Sequence, residues 1–310
     1  MDLRRARQGW FGLKRHVKRF LSLGIPHAGL RLAARMVPSL QAGRLPAPAS
    51  VTEVEGRVAG ATFVMLDPAR CENAKQLYWG GGRRPKADDR LALDTVVALA
   101  RDADTFLDVG AYTGLFSLAV SVAAPAVQVH AFEIVPAAAN ALEANLVRNR
   151  VDLRVALHRE GVGDPDTTLR VPTGEGGSAI PSFLSSRHGA TEGELVRFRS
   201  LDSVADLLPH DDRVVMKVDV EGTEDDVFRA GKSFLTEFRP DVLCEVLPDA
   251  DGAVLEDLLS PAQLRWFLVT NTALEAKPSI VPDARHRDWL FTTRQPDDLR
   301  ALGLPVAPSD

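Results

Sequence analysis

Residues 106–114 read Phe-Leu-Asp-Val-Gly-Ala-Tyr-Thr-Gly, and the next apolar run, Val127 to Phe132, ends at an acid, Glu133. The order is an apolar segment, a glycine turn, a helical pattern opened by Leu115, Phe116, Leu118 and Ala119, a second apolar segment and a carboxylate. It describes half of a nucleotide-binding parallel sheet, against the plainer reading of an ordinary strand-turn-helix. Gly110 lets the chain turn where a side chain would collide with a ligand or with the strand. The first amides of the following helix lack intrahelical partners and can hold an anion. Glu133 stands 23 residues beyond Gly110, close to the spacing at which a carboxylate accepts hydrogen bonds from a ribose diol.

A dinucleotide fingerprint needs glycines at the first, third and sixth positions of this turn. Here the third is Tyr112 and the sixth is Leu115. A tyrosine there hinders close approach of a pyrophosphate, whereas a ligand without phosphates, such as S-adenosylmethionine, tolerates it and presents one carboxylate to the helix.

Around this unit the chain alternates. Strands are expected at Thr105–Val109, Gln128–Phe132, Leu153–His158, Arg213–Val218, Asp241–Val246, Arg265–Thr270 and Trp289–Thr293, with helices after most of them, notably Pro136–Arg148 and Glu224–Ala230. Such alternation argues for a parallel sheet covered on both faces, with ligands at the carboxyl ends of the strands. Thr168–Val171 and Val196–Ser200 read as a hairpin. Between them a Gly- and Ser-rich stretch, Pro172 to Leu195, either closes over a substrate or is a mobile surface loop.

The first 50 residues differ from the rest. They carry ten Lys or Arg and one acid, so the net charge of −5 divides into +9 there and −14 beyond. Trp10, Leu13, Val17, Phe20 and Leu21 share a helical face. A basic amphipathic helix over residues 1–40 can lie on an anionic membrane; the expectation is that it docks on the acidic body of its own chain instead. Nucleic-acid binding by an acidic body is not expected. Two cysteines, Cys71 and Cys244, make neither a disulfide framework nor a zinc cluster, and a cytoplasmic location is the default. The seven histidines give no pair at helical ligand spacing, no metal site is expected, and no Gly-x-Ser-x-Gly elbow marks a serine hydrolase.

Two segments carry candidate chemistry. Lys217-Val218-Asp219-Val220-Glu221-Gly222 ends a strand, and carboxylates spaced by one residue face the same way while the strand lasts. Asp219 is the first candidate for a base that takes a proton from an attacking hydroxyl, or for a group that orients the ligand, and Glu221 the second. Both otherwise serve as a cluster opening the next helix. After the third strand, Glu160-Gly161-Val162-Gly163-Asp164 forms a turn in which Val162 can pack on an adenine face and Asp164 can accept from its amino group.

In this order, Leu-Asp-Val-Gly-Ala-Tyr-Thr-Gly (107–114), Ala-Phe-Glu-Ile-Val-Pro (131–136), Gly-Val-Gly-Asp (161–164), Ser-Leu-Asp-Ser (200–203), Lys-Val-Asp-Val-Glu-Gly (217–222) and Leu-Cys-Glu-Val around Glu245 resemble the FkbM family of S-adenosylmethionine-dependent methyltransferases. The resemblance covers about residues 78–295. It implies an α/β class I methyltransferase fold, a Rossmann-like seven-stranded sheet with the last strand antiparallel. It also implies methylation of a hydroxyl on a sugar, glycolipid or polyketide-like product. The expected organisation is a basic N-terminal helical extension and linker over 1–50, lead-in strands and a helix over 51–100, the cofactor-binding domain over 101–295 and a tail over 296–310. On this reading Asp108, Gly110 and Gly114 shape the methionine end of the site. Glu133 holds the ribose, and Val162 and Asp164 the adenine. Two rivals stand beside it: a non-catalytic cofactor-binding scaffold docking on membranes through residues 1–40, and an NAD-dependent oxidoreductase, against which Tyr112 and Leu115 speak.

Overall fold

A computed structural model describes residues 45–171 and 193–308. The basic helix expected over 1–40 and nearly all of the long stretch from Pro172 to Leu195 lie outside the described residues. The chain divides into two compact units. The smaller takes in residues 45–56 and 64–85, the larger 57–63 and 86–308.

Strands β1 (Glu53–Val58) and β2 (Ala61–Leu66) pair as a two-stranded sheet. Ala59 and Gly60 turn between them, both with positive φ, as a two-residue hairpin requires. In the smaller unit helix α1 (Glu72–Trp79) starts at Cys71, whose sulfur accepts the amide of Ala74 at 3.4 Å. Its last residue, Trp79, donates its indole N–H to the carbonyl of Leu45 at 3.0 Å.

The larger unit opens with helix α2 (Ala87–Ala100), whose buried Leu91, Val96, Val97, Leu99 and Ala100 give it an apolar face. It continues with β3 (Thr105–Val109), α3 (Leu115–Ala123), β4 (Gln128–Phe132), α4 (Pro136–Asn149) and β5 (Val155–His158). Proline at the first turn of α4 suits a position whose N–H has no helical partner. After β6 (Gly161–Val162), β7 (Thr168–Val171) and β8 (Glu194–Arg199) come α5 (Leu201–Val204), β9 (Val214–Val218), α6 (Glu224–Arg229), α7 (Lys232–Phe238) and β10 (Asp241–Glu245). The chain then forms α8 (Gly252–Leu259), β11 (Arg265–Val269), β12 (Leu274–Lys277), β13 (Asp288–Thr292) and α9 (Pro296–Ala301).

Eight strands form the main sheet in the order β12-β11-β13-β10-β9-β3-β4-β5. β5, β4, β3, β9 and β10 run parallel, and β13 enters antiparallel between β10 and β11. The reversed last strand is as expected, but the sheet has eight strands, not seven. The addition is β12, which returns antiparallel on the outer edge of β11. The hairpin expected from the sequence is present as β7 against β8, with β6 joining β8 in parallel.

Every residue of β3 and β9 is buried, so both read as apolar runs interrupted only by Thr105, Asp108 and Lys217. The core on one face gathers Phe228, Phe234, Trp289 and Phe291. From β3 the chain moves outward through β4 to β5, then crosses back to β9 on the other side of β3. This reversal leaves a crevice beyond the carboxyl ends of β3 and β9.

Candidate functional site

The crevice is a cavity of about 290 Å³ whose wall includes Gly110, Glu133, Val162, Asp164, Asp219 and Glu221. Six of the eight candidate residues therefore converge on one space, from the turns beyond β3, β4 and β9 and from β6 with the turn after it. Asp108 and Gly114 are not among the lining residues. The side chain of Asp108 is buried and points back under α3. Its Oδ2 accepts the backbone N–H of Ser117 at 3.0 Å and the Ser117 hydroxyl at 2.6 Å. Gly114 precedes α3 with φ of +84°, and a Cβ there would lie 2.1 Å from Cδ1 of Leu142. These two residues set the helix in place from behind rather than forming the cavity wall. Spacing alone could not separate the two roles, because both occur within one turn of sequence.

Gly110 has φ of +76°, and a Cβ on it would lie 1.9 Å from the backbone oxygen of Asp219. The glycine is needed because the two strand ends approach each other. The amide of Asp219 donates to the carbonyl of Val109 at 3.1 Å, closing this approach.

Glu133 is 2% exposed. Its Oε2 accepts the amide of Tyr112 at 2.7 Å and its Oε1 the amide of Val135 at 2.6 Å. Burial raises its pKa to about 7, against the lowering effect of those two amides and of Lys217. The carboxylate therefore locks the turn after β3 to the end of β4 and keeps further lone pairs for a ligand.

In the sequence Lys217 is only one member of a motif. In the parallel register it stands opposite Asp108. Its ammonium is buried, donates to the carbonyl of Gly110 at 2.7 Å, and lies 3.3 Å from Asp219 and 3.8 Å from Asp108. Burial opposes its charge, yet Asp219, Asp108 and Glu133 together outweigh burial and raise its pKa. Oδ1 of Asp108 is buried without a hydrogen-bond partner, and burial raises the pKa of this acid despite Lys217 and Ser117.

Three further acids stand near Asp219. Glu221 has φ of +58° and is half-buried; burial and then Asp219 raise its pKa, against Lys217 and Arg287. Glu224 is buried and accepts the amides of Val220 at 3.2 Å and Gly222 at 3.1 Å, fixing the loop that carries Glu221. Glu245, at the end of β10, is raised to about 8 by burial and by Asp219, Asp288 and Glu221.

At the far end of the cavity Val162 is buried, while the Asp164 carboxylate closes its own turn. Its Oδ1 accepts the amide of Asp166 at 3.0 Å and its Oδ2 the Thr167 hydroxyl at 3.1 Å. Leu169 and Phe198, from the β7–β8 hairpin, complete an apolar wall that the sequence did not assign. His130 lies with Nδ1 3.1 Å from Nε2 of His158. Burial and then His158 lower its pKa to about 4, so it is neutral near pH 7. Among the described residues no three His, Cys, Asp or Glu side chains are grouped as metal ligands, and no helix is long and apolar enough to cross a membrane.

The sequence model described as Methyltransferase FkbM domain matches residues 108–266, just over half of the chain. No curated protein matches. Solved structures with similarity include methyltransferase FkbM from Methylobacillus flagellatus KT, at 16% identity over 61% of this chain and 44% of that one, with a TM-score of 0.39. Another is precorrin-6y C5,15-methyltransferase from Geobacter metallireducens GS-15, at 13% identity over 66% of this chain and 87% of that one, with a TM-score of 0.37. A SAM-dependent methyltransferase from Agrobacterium tumefaciens matches at 10% identity over 77% and 69% of the two chains, with a TM-score of 0.42. The chain spans less than half the length of the first of these.

Proposed function

The chain belongs to the FkbM methyltransferase family, and from that premise we propose that it transfers a methyl group from S-adenosylmethionine to a hydroxyl of a saccharide, glycolipid or polyketide-like acceptor. One observation carries the reading above the others: the buried carboxylate of Glu133 in the cavity wall, held by two backbone amides at the end of β4. That is where a ribose diol finds a fixed, low-dielectric acceptor. The remaining wall fits the same cofactor. Val162 and Phe198 offer apolar faces to a purine, and Asp164 offers the lone pairs its own turn leaves over. Asp108 and Gly114 support the site by fixing the start of α3.

When bound, S-adenosylmethionine supplies a methyl carbon activated by a sulfonium. The protein's own contribution is position and proton removal. Asp219 lies 3.3 Å from the buried ammonium of Lys217, and a carboxylate at this place attracts a cation in the crevice. It acts as the orienting group. Glu221 lines the same cavity with a raised pKa, and it would take the proton of the acceptor hydroxyl as the methyl passes from sulfur to oxygen and S-adenosylhomocysteine is left. Much of the rate comes from holding the reacting atoms in line.

Incubation of the full chain with isotopically labelled S-adenosylmethionine and extracts of its own source cells tests this, with mass analysis of the products. A product heavier by one labelled methyl on oxygen, absent with Glu133→Ala, supports the assignment. Methylation on nitrogen or carbon, or transfer unaffected by Glu133→Ala, contradicts it.

A further inference from the structure

A second cavity, of about 330 Å³, opens beside the first, and Glu221 lines both. Its floor is apolar, built from Leu247, Val254 and the buried Leu255. Its rim carries Asp225, Asp249 and Asp251 as well as Glu221, and the buried Glu224 closes the wall between α6 and the β9 loop. The guanidinium of Arg229 also lines it, but Nη2 lies 3.3 Å from Oδ2 of Asp225, so its charge is already met. Asp251 spends one oxygen on the amides of Ala253 and Val254 at the start of α8. The volume is at the small end for ligand pockets, room for one ring and not for a long chain.

We propose that this second cavity is the acceptor site, and that it selects an amine-bearing, hydroxyl-rich small ring over neutral or phosphorylated ones. The proposal rests on the cofactor reading of the first cavity. The shared wall at Glu221 carries it. A group seated in the second cavity meets the crevice at one carboxylate, the residue assigned to remove its proton. An apolar floor suits the C–H face of a saturated ring, while rim carboxylates accept from its hydroxyls and attract an ammonium. A phosphate would meet four acids and a guanidinium already bridged to one of them.

Ligand-observed NMR on the full chain, with and without S-adenosylhomocysteine, tests the site using glucosamine, glucose and glucose 6-phosphate as probes. Glucosamine is expected to bind about tenfold more tightly than glucose at low salt, the joint effect of several partly exposed carboxylates. Glucose 6-phosphate is expected to bind more weakly than either. Val254→Trp, which fills the floor, should abolish glucosamine binding, and Asp249→Asn should narrow the glucosamine preference severalfold. Both variants should keep the wild-type affinity for S-adenosylhomocysteine, which also reports that they fold. Binding of glucose 6-phosphate as tight as glucosamine overturns the proposal. So does binding that survives Val254→Trp, or binding by none of the probes. Calorimetry with S-adenosylhomocysteine alone separates the two claims: if it binds and the probes fail, only the acceptor assignment falls; if it does not bind, the cofactor reading falls.

Discussion

Glu133 and Tyr112, 21 residues apart, meet at 2.7 Å, the carboxylate accepting the amide at the tip of the turn after β3. Burial leaves this acid half-protonated near pH 7, whereas the ribose-holding role proposed for it needs an ionised acceptor. The same group therefore links ligand binding to pH and stability to pH, with opposite signs.

Without ligand, the folded pKa of about 7 exceeds the ordinary 4.5, so between these values the folded state binds more protons than the unfolded state. Stability is present below pH 4.5 and falls as pH rises toward 7, by roughly 3 kcal/mol for a buried group shifted this far. Glu245, raised to about 8, extends the decline by about one further pH unit. Urea unfolding from pH 5 to 8.5 should show this decline, and Glu133→Gln combined with Glu245→Gln should flatten it.

Lys217 sits between Asp108 and Asp219 with almost no solvent. Lys217→Met should cost about 3–5 kcal/mol, since it leaves two acids without their cation. Lys217→Arg should not restore stability, because a planar guanidinium cannot reproduce the single short bond to Gly110 in so tight a space. Chemical denaturation midpoints of the three proteins decide this.

Glu221 occupies the left-handed region without being glycine, and Gly222 follows it with φ of +95°. Such a conformation costs a bulky residue roughly 1–2 kcal/mol. Glu221→Gly should therefore leave the melting temperature unchanged or raise it, while single-turnover methyl transfer falls about 10²–10⁴-fold. Asp219→Asn should also slow transfer, and its loss should be smaller if Asp219 orients and Glu221 takes the proton. Equal rates for wild type and Glu221→Gly would remove Glu221 from catalysis.

Gly110→Ala should destabilise by more than the roughly 1–2 kcal/mol that positive φ alone imposes, because its Cβ would meet backbone rather than a side chain that can turn away. Gly114→Ala faces only the end of Leu142. It should cost less, and Leu142→Ala should partly rescue it. Thermal melts of the two single variants and the double variant measure the difference.

Much of this was legible in the sequence because it is local. The strands at 105–109 and 128–132 stand where the apolar runs put them, and the glycine turn and Glu133 fall at their ends. What was not legible depends on pairing across distance. β12 is four residues long and owes its strand pairing to the edge that β11 offers along its length. β6 is two residues long and pairs with β8, 37 residues later. Lys217 is only the first member of a motif until the register sets it opposite Asp108. Asp108 and Gly110 look alike as members of one motif, yet one faces under the helix and the other lines the cavity, a distinction made by Ser117 and Asp219.

We place S-adenosylmethionine in the crevice beyond β3 and β9, held through an ionised Glu133. Titration calorimetry with S-adenosylhomocysteine at pH 6, in two buffers of different ionisation enthalpy, tests it directly. The account predicts micromolar binding with release of close to one proton per site at pH 6, little release at pH 8.5, and loss of the release in Glu133→Gln. Binding of NAD with no heat from S-adenosylhomocysteine, or binding with the same proton count in wild type and Glu133→Gln, would contradict it.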